Sequence, residues 1–385
     1  MKNTALAHLI RPAAPLRLGA ELSPPILSMT MRDGLVDQAD KFKKRVASAD
    51  LSPYKVVTRG QLVVGFPIDE AVLAIQTQYE RAVVSPAYAV WDIQDSLVEA
   101  RYLEYFLRGP QAVAYYKARL QGSTARRRSL PNSVFLEMEV PLPPLPEQRR
   151  IVSILDQVDA LLGERRLAIL HLKRFMDSAF DAAFEQSSWP VESLGSLAST
   201  QGGITVSKAR EAHPLKVDYL RVANVSRGNI DLSEVKSIGV SAAEVERTHL
   251  KIGDILIVEG HGNINELGRA ARWADPGRSI THQNHLIRVR AIPGILRSEF
   301  LERYLNSRTA RAYFRSVSKT TSGLNTLNMS NVKAAPVMVP PLAQQDEFVE
   351  MLVSAERVGE AQSRHLQKLD ELFASLQHRA FAGSL

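Results

Sequence analysis

Asp254, Glu259 and His261 place two carboxylates and an imidazole in one short segment, GDILIVEGHG (253–262). Spaced acids of this kind hold the metal of hydrolytic nucleases. Here the lysine expected two residues after the second acid is replaced by His261, and Asp254 sits in a Gly-Asp turn. His282 and His285 flank Gln283 and Asn284 at a spacing that could seat a metal, yet no third ligand is evident. If the segment is one strand, alternation points the two histidines to opposite faces. No Gly-Lys-Ser/Thr loop, Gly-x-Gly-x-x-Gly fingerprint or Asn/Asp-Pro-Pro-Tyr/Phe motif occurs, which argues against nucleotide hydrolysis and adenine methylation by this chain. Cysteine is absent, so thiolate metal sites and Cys nucleophiles are excluded.

The same residues fit recognition better than catalysis. Gln283 and Asn284 present paired donors and acceptors of the kind that match adenine, with His282 beside them. A solvated strand end is the alternative. Small polar residues with Lys or Arg on a loop are typical phosphate contacts. Ser123, Thr124, Arg126, Arg127 and Arg128 form such a cluster in STARRR, and Lys319, Thr320, Thr321 and Asn325 form one in SKTTSGLNT. Lys208 and Arg210 in KARE, and His261, Asn263, Asn265 and Arg269 in GHGNINELGR, extend the candidate DNA-binding set, together with Tyr88 and Lys117.

The segments that carry these residues are organised by a duplication. Val140 to Phe184 aligns without a gap with Val337 to Phe381, matching Pro143, Pro144, Leu145, Gln148, Val152 and Leu155 to Pro340, Pro341, Leu342, Gln345, Val349 and Leu352. Upstream, YLEYFLR (102–108) echoes FLERYLN (300–306). The repeat is far too long for a solenoid and reads as whole-domain duplication. The expected division is a first recognition domain at 1–140, a Pro-rich turn and helix at 141–187, a second recognition domain at 188–339, and a second turn and helix at 340–385. LGA (18–20) aligns with LGS (194–196), which implies a longer insertion before the strands of the second unit.

Charge follows that division. The net +7 of the 385 residues resolves into +4 over 1–140 and +7 over 188–339, against −1 over 141–187 and −3 over 340–385. The positive excess lies in the globular units, as suits a polyanionic partner. No apolar run is long enough for a signal peptide or a membrane span, and a cytoplasmic protein is expected.

Within the globular units the pattern is mixed α/β (α+β). KVVTRGQLVVG (55–65) and LKIGDILIVEG (250–260) share a turn glycine before an apolar strand, and VVSPAYAVW (83–91) and ITHQNHLIRVR (280–290) read as later strands. After each Pro-rich turn, apolar positions recur at heptad spacing. The first seam is Ile151, Ile154, Val158, Leu161, Arg165 and Leu172; the second includes Phe348, Met351, Gln362, Leu369 and Leu372. Such stripes need a partner. The nearest is the other copy, paired antiparallel; the alternative packs each helix on its own domain.

A basic domain, the turn PLPPLPEQRRIVSILDQVDALL (141–162), a long helix and then the whole plan again resembles the DNA specificity subunit of a type I restriction-modification system. LGSLAS, GDILIVEG and FLERYL match the usual pattern of its target-recognition domains, while Ala343 and Gln344 depart from the usual Pro and Glu, and residues 1–15 match nothing in it. The resemblance implies two similar target-recognition domains, each followed by a long helix. The helices form an antiparallel coiled coil with pseudo-two-fold symmetry, and each domain reads half of a bipartite double-stranded DNA target. It further implies a non-catalytic chain with no cofactor of its own. Its partners would be two modification subunits that methylate adenine with S-adenosylmethionine, and restriction subunits that use ATP and Mg²⁺. A stand-alone two-domain DNA-binding regulator and a metal-dependent nuclease built on the acids near 254–261 are the alternatives.

Overall fold

The structure is a computed structural model that describes residues 2–14, 16, 24–31, 33–41, 50–121, 129–185, 188–321 and 323–385. The helices that organise it are α1 (Ala100–Leu107), α2 (Pro110–Arg119) and α3 (Leu145–Glu185), then α4 (Ser298–Asn306), α5 (Arg308–Val317) and α6 (Leu342–Ala382). The chain forms two compact units. One comprises Met1–Leu167 with Ser363–Leu385, and the other Ala168–Gln362. Each unit therefore holds the first half of one long helix and the last half of the other.

In the first unit a four-stranded antiparallel sheet runs in the order Ile10–Pro12, Ala89–Ile93, Leu62–Val64, Leu73–Ile75. The second unit repeats it as Ala198–Gly202, Leu286–Ala291, Ile255–Val258, Ala270–Arg272. The shared turn glycines serve the same purpose in both. Gly60 and Gly253 take φ of 90° and 89°, a left-handed conformation that favours glycine, immediately before the central strand. A terminal strand also closes each unit, Lys2–Ala5 on Glu139–Leu142 and Val191–Ser193 on Pro336–Met338.

This pairing corrects the expected alignment of the starts. Leu6 N–H donates to Met138 O and Leu194 N–H to Ala335 O, both at 2.8 Å, so Leu6 is the counterpart of Leu194. Residues 18–20, aligned with 194–196 from sequence, lie outside the described residues. The first sheet strands, from Ile10 and from Ala198, then begin at corresponding places, and the insertion expected before the central strand of the second unit shrinks to about five residues, since Leu6 to Gly60 spans 54 positions and Leu194 to Gly253 spans 59.

A second correction concerns the later strands. VVSPAYAVW and ITHQNHLIRVR each fold as two strands of different sheets joined by a turn. They are Arg81–Val84 and Ala89–Ile93 in one unit, and Ile280–His282 and Leu286–Ala291 in the other. The turn residues Ser85–Tyr88 and Gln283–His285 interrupt each run, so simple alternation along the segment does not apply.

The helical repeat is tied to each unit by one buried glutamine. Gln148 is fully buried; it accepts from Glu99 N–H (2.8 Å) and donates to Leu97 O (3.1 Å) and Pro143 O (2.8 Å). Gln345 does the same with Arg297 N–H (2.8 Å), Ile295 O (3.0 Å) and Pro340 O (2.8 Å). Each side chain satisfies all three backbone groups at the junction of the Pro-rich turn and the helix preceding it, which is why Gln recurs in both copies.

In the first unit the long helices run antiparallel. Arg150 donates to Leu385 O (2.8 Å) and Arg166 pairs with Asp370 (3.0 Å), so rising numbers on α3 meet falling numbers on α6. Phe381 packs edge-on against Tyr102 and Phe106, both at 5.2 Å, in a core shared with Ile151 and Leu155. The second unit shows the same sense. Phe180 lies edge-on to Phe348 at 4.9 Å, and Met176 and Leu352 join the same core.

The phase of the helix stripe differs from the expected seam. Ile151, Val158 and Phe348 are buried, and Arg165, Leu172, Gln362 and Leu369 are half-buried, as a seam requires. Leu161, Met351 and Leu372 are instead exposed and Ile154 only half-buried; their places are taken by the next residue along, Leu155, Leu162, Leu352 and Phe373. Both sequences carry apolar doublets at these steps, such as Ile154-Leu155, Leu161-Leu162 and Met351-Leu352, so either phase satisfies the heptad.

Candidate nucleic-acid interface

The second unit gathers several of the predicted segments along one polar edge. Strand Gly260–His261 pairs with Leu324–Thr326, which pairs with Lys319–Thr321. Asn325 holds this sheet together from inside: it is buried, donates to His261 O (3.2 Å) and Gly262 O (3.1 Å), and accepts from Thr320 Oγ1 (2.8 Å). Glu259 joins the next segment, since its N–H donates to His285 O (3.1 Å) and its carbonyl accepts from Leu327 N–H (2.8 Å). Burial holds its carboxyl above the usual range, opposed by His285, whose Nδ1 lies 3.6 Å away. The turn at 283–285 is fixed in turn by Gln283 N–H on Leu220 O and Asn284 N–H on Ile204 O, both at 2.9 Å. Gly203 permits that approach: a Cβ there would stand 2.2 Å from His282 O.

The edge therefore exposes Asn263, Asn265, His285, Lys319 and Thr320, with His261, Gln283 and Asn284 half-buried behind them. Local hydrogen bonds order the loop. His261 Nδ1 accepts from Asn263 N–H (3.0 Å), and Asn263 Oδ1 accepts from Asn265 N–H (3.0 Å). Preorganised amide side chains beside a lysine can hydrogen-bond base edges while the cation faces phosphate. Lys208 is also exposed, in the short turn Lys208–Ala212.

Four predicted contacts take structural roles instead. His282 is fully buried with Nε2 3.4 Å from Gln201 O, and burial lowers its pKa to about 4, so it stays neutral and faces away from solvent. Arg210 is clamped to Glu244 (2.7 and 3.1 Å) and Gly239 O. Arg269 donates to Val225 O (2.6 Å) and Val222 O (3.0 Å). Asn325 is the internal tie described above. The polar residue types were legible, but a partner distant in sequence decides whether each one faces solvent.

In the first unit Tyr88 is half-buried, with its carbonyl accepting from Lys55 Nζ (2.6 Å), and Lys117 is exposed in the last turn of α2. Ser123, Thr124, Arg126, Arg127 and Arg128 lie outside the described residues.

The acid pair considered for metal chemistry separates. Asp254 is fully buried and held by both arms of Arg290 (2.6 and 2.7 Å) and by Lys251 N–H (2.7 Å), so it is paired and closed to solvent. Among the described residues no group of three or more His, Cys, Asp or Glu is placed to hold a metal, and no helix is long and apolar enough to cross a membrane. Sequence reading also passed over a basic face on α5, Arg308, Arg311 and Arg315, whose three- and four-residue spacing was the available signal.

Residues 88–171 match the type I restriction modification DNA specificity domain. The StySPI specificity subunit of Salmonella potsdam is 23% identical over 315 residues, covering 76% of this chain and 66% of that protein. The EcoKI specificity subunit of Escherichia coli K12 is 27% identical over 278 residues, covering 64% of this chain and 58% of that protein. The chain thus spans less than two thirds of the length of both relatives. Among solved structures, a chain of a type I restriction-modification assembly superposes with a TM-score of 0.58 at 15% identity, covering 100% of this chain and 98% of that one. The specificity subunit of M. genitalium gives 0.53 at 14% identity, with 99% and 96% covered. In sequence around its first Pro-rich turn, and in fold along its length, the chain resembles the specificity subunits of type I restriction enzymes, as its duplicated turn and helix implied.

Proposed function

We propose that this chain is the DNA specificity subunit of a type I restriction-modification complex, acting in the cytoplasm. The observation that carries the reading is the repetition of one device: a basic globular unit with the same antiparallel sheet, tied by a buried glutamine to a 41-residue helix, twice in one polypeptide. In this reading residues 1–140 and 188–339 each recognise half of a bipartite duplex target. The polar edge at 259–265, 283–285 and 319–326 supplies base and phosphate contacts in the second.

The helices set the distance between half-sites and dock two modification subunits. In support, each helix leaves a second apolar row exposed beside its buried seam, with Leu161 and Phe175 45% and 63% exposed on α3, and Met351 and Leu372 38% and 46% exposed on α6. Rows this apolar on a water-facing helix suit a protein partner. S-adenosylmethionine, ATP and Mg²⁺ belong to the partner subunits, and this chain performs no catalysis.

The test is a heptad inserted at matched points, after Ala168 and after His365, with the motif read from genomic adenine methylation. Seven residues add about 10 Å at ~1.5 Å per residue, about three base pairs of duplex. The half-sites should remain while the gap between them widens. An unchanged gap refutes the ruler, and loss of methylation only when the gene is deleted separates a specificity subunit from an independent regulator.

A further inference from the structure

The polar edge of the second unit carries a single acid. Across segments 259–265, 283–285 and 319–326, Glu259 is the only Asp or Glu. Its backbone is fixed on three sides. It follows the fully buried strand Ile255–Val258, its N–H donates to His285 O (3.1 Å), and its carbonyl accepts from Leu327 N–H (2.8 Å). The sheet thus sets where the carboxylate stands, and the side chain still reaches solvent, at 31% exposure.

The carboxylate is weakly partnered. Its one charged neighbour among the described residues is His285, whose Nδ1 lies 3.6 Å away, longer than a good hydrogen bond, on a side chain 62% exposed. Partial burial already holds the carboxyl above its usual range. A surface closing over it without offering a donor would penalise it further.

DNA offers a carboxylate few partners. Phosphates repel it, and in the major groove guanine O6 and N7, adenine N7 and thymine O4 are acceptors like itself. The donors there are the exocyclic amino groups of cytosine and adenine. Adenine sets its N6 beside the N7 acceptor, which would face the second carboxylate oxygen, whereas cytosine sets its N4 beside a C–H. Cytosine is the better match. An acid in this place lowers affinity for duplex in general and restores it where that amino group stands opposite.

We propose that Glu259 reads a cytosine in the second half of the target, its carboxylate accepting from the N4 amino group in the major groove. The inference rests on the reading of this chain as a DNA specificity subunit and adds a base identity to it.

The test selects bound duplexes from a randomised pool with the full chain, comparing the parent with Glu259→Gln, Glu259→Ala and His285→Ala. Glu246→Gln, an exposed acid outside the edge segments, controls for the loss of negative charge, and thermal melting confirms folding. A glutamine amide both donates and accepts, so it fits adenine N6 and N7. At one position of the parent motif, Glu259→Gln should lower the preference for cytosine about 5–150-fold, the range equivalent to ~1–3 kcal/mol of base discrimination, in favour of adenine. Glu259→Ala should leave that position degenerate. Every other position should stay as in the parent, and affinity for unrelated duplex should not fall in either variant. A parent motif that folded Glu259→Gln and Glu259→Ala leave unchanged overturns the assignment of Glu259 alone. So does a loss spread evenly over all positions, or the same shift in His285→Ala, which would give the contact to the histidine. A parent that selects no sequence overturns this assignment and the proposed function together.

Discussion

Replacing Gln148 by Ala removes a buried amide that satisfies three backbone groups at once. The lost bonds are those to Glu99 N–H at 2.8 Å, Leu97 O at 3.1 Å and Pro143 O at 2.8 Å. Each such bond contributes ~1 kcal/mol net, and a buried group left unsatisfied costs ~1–3 kcal/mol. Water entering the small void recovers part of this, so the expected loss is about 3–5 kcal/mol. Gln345→Ala should match it, because its three bonds differ by no more than 0.1 Å from those of Gln148. Gln148→Glu separates the roles of the amide: it keeps an acceptor for Glu99 N–H, loses both donated bonds and buries a charge, so it should be at least as damaging as Ala. Urea unfolding of the full chain, followed by far-UV circular dichroism, reads the loss as a lowered midpoint with little change in slope. Gln344→Ala, three residues into α6 and exposed, is the control and should shift stability by less than ~0.5 kcal/mol. A Gln148→Ala loss below about 1 kcal/mol, or one equal to that of Gln344→Ala, would refute the role assigned to the repeated glutamine.

His282, with its pKa lowered to about 4 by burial, binds a proton less readily folded than unfolded. Stability should therefore be constant above pH ~6.5 and fall as pH drops toward 4, by up to ~1.4 kcal/mol per unit, and His282→Asn should flatten that slope in urea midpoints measured from pH 7 to 4.5. Asn284→Ala should relax preference at one base pair by about 1–3 kcal/mol without altering the salt slope of duplex binding, and an unchanged methylation motif would remove Asn284 from the reading surface. Phe175→Glu, at a position 63% exposed, should abolish co-purification with an adenine methyltransferase while leaving duplex affinity and melting temperature intact; retained co-purification would place the docking surface elsewhere.

The duplication was legible because it is written in residues that cannot be exchanged cheaply. Gln148 and Gln345 each satisfy three buried groups, and Gly60 and Gly253 each hold a left-handed turn before a core strand. Exposure within the recognition units was not legible. THQNH looks uniformly polar, yet His282 ends a buried strand while Gln283 and Asn284 turn outward one residue later. What separates them is Ile204, which receives Asn284 N–H and donates to His282 O, both across nearly eighty residues. Arg210, Arg269 and Asn325 were misread for the same reason: their partners, Glu244, Val225 and His261, are set by tertiary structure and by no local spacing.

The helix stripes show a different kind of limit. The doublets Ile154-Leu155, Leu161-Leu162, Phe175-Met176, Met351-Leu352 and Leu372-Phe373 make two adjacent apolar rows, each repeating every seven residues. Only one row can face the antiparallel neighbour. Leu155, Leu162, Met176 and Leu352 take that place and are buried, which leaves Leu161, Phe175, Met351 and Leu372 in water. A helix that served only its partner helix would gain solubility by carrying polar residues in the second row. The ambiguity of phase in the sequence thus has a physical cause, since both rows are apolar and only the packing against protein decides between them. One row meets it within each unit, and the other marks the face on which the proposed modification subunits would complete the assembly.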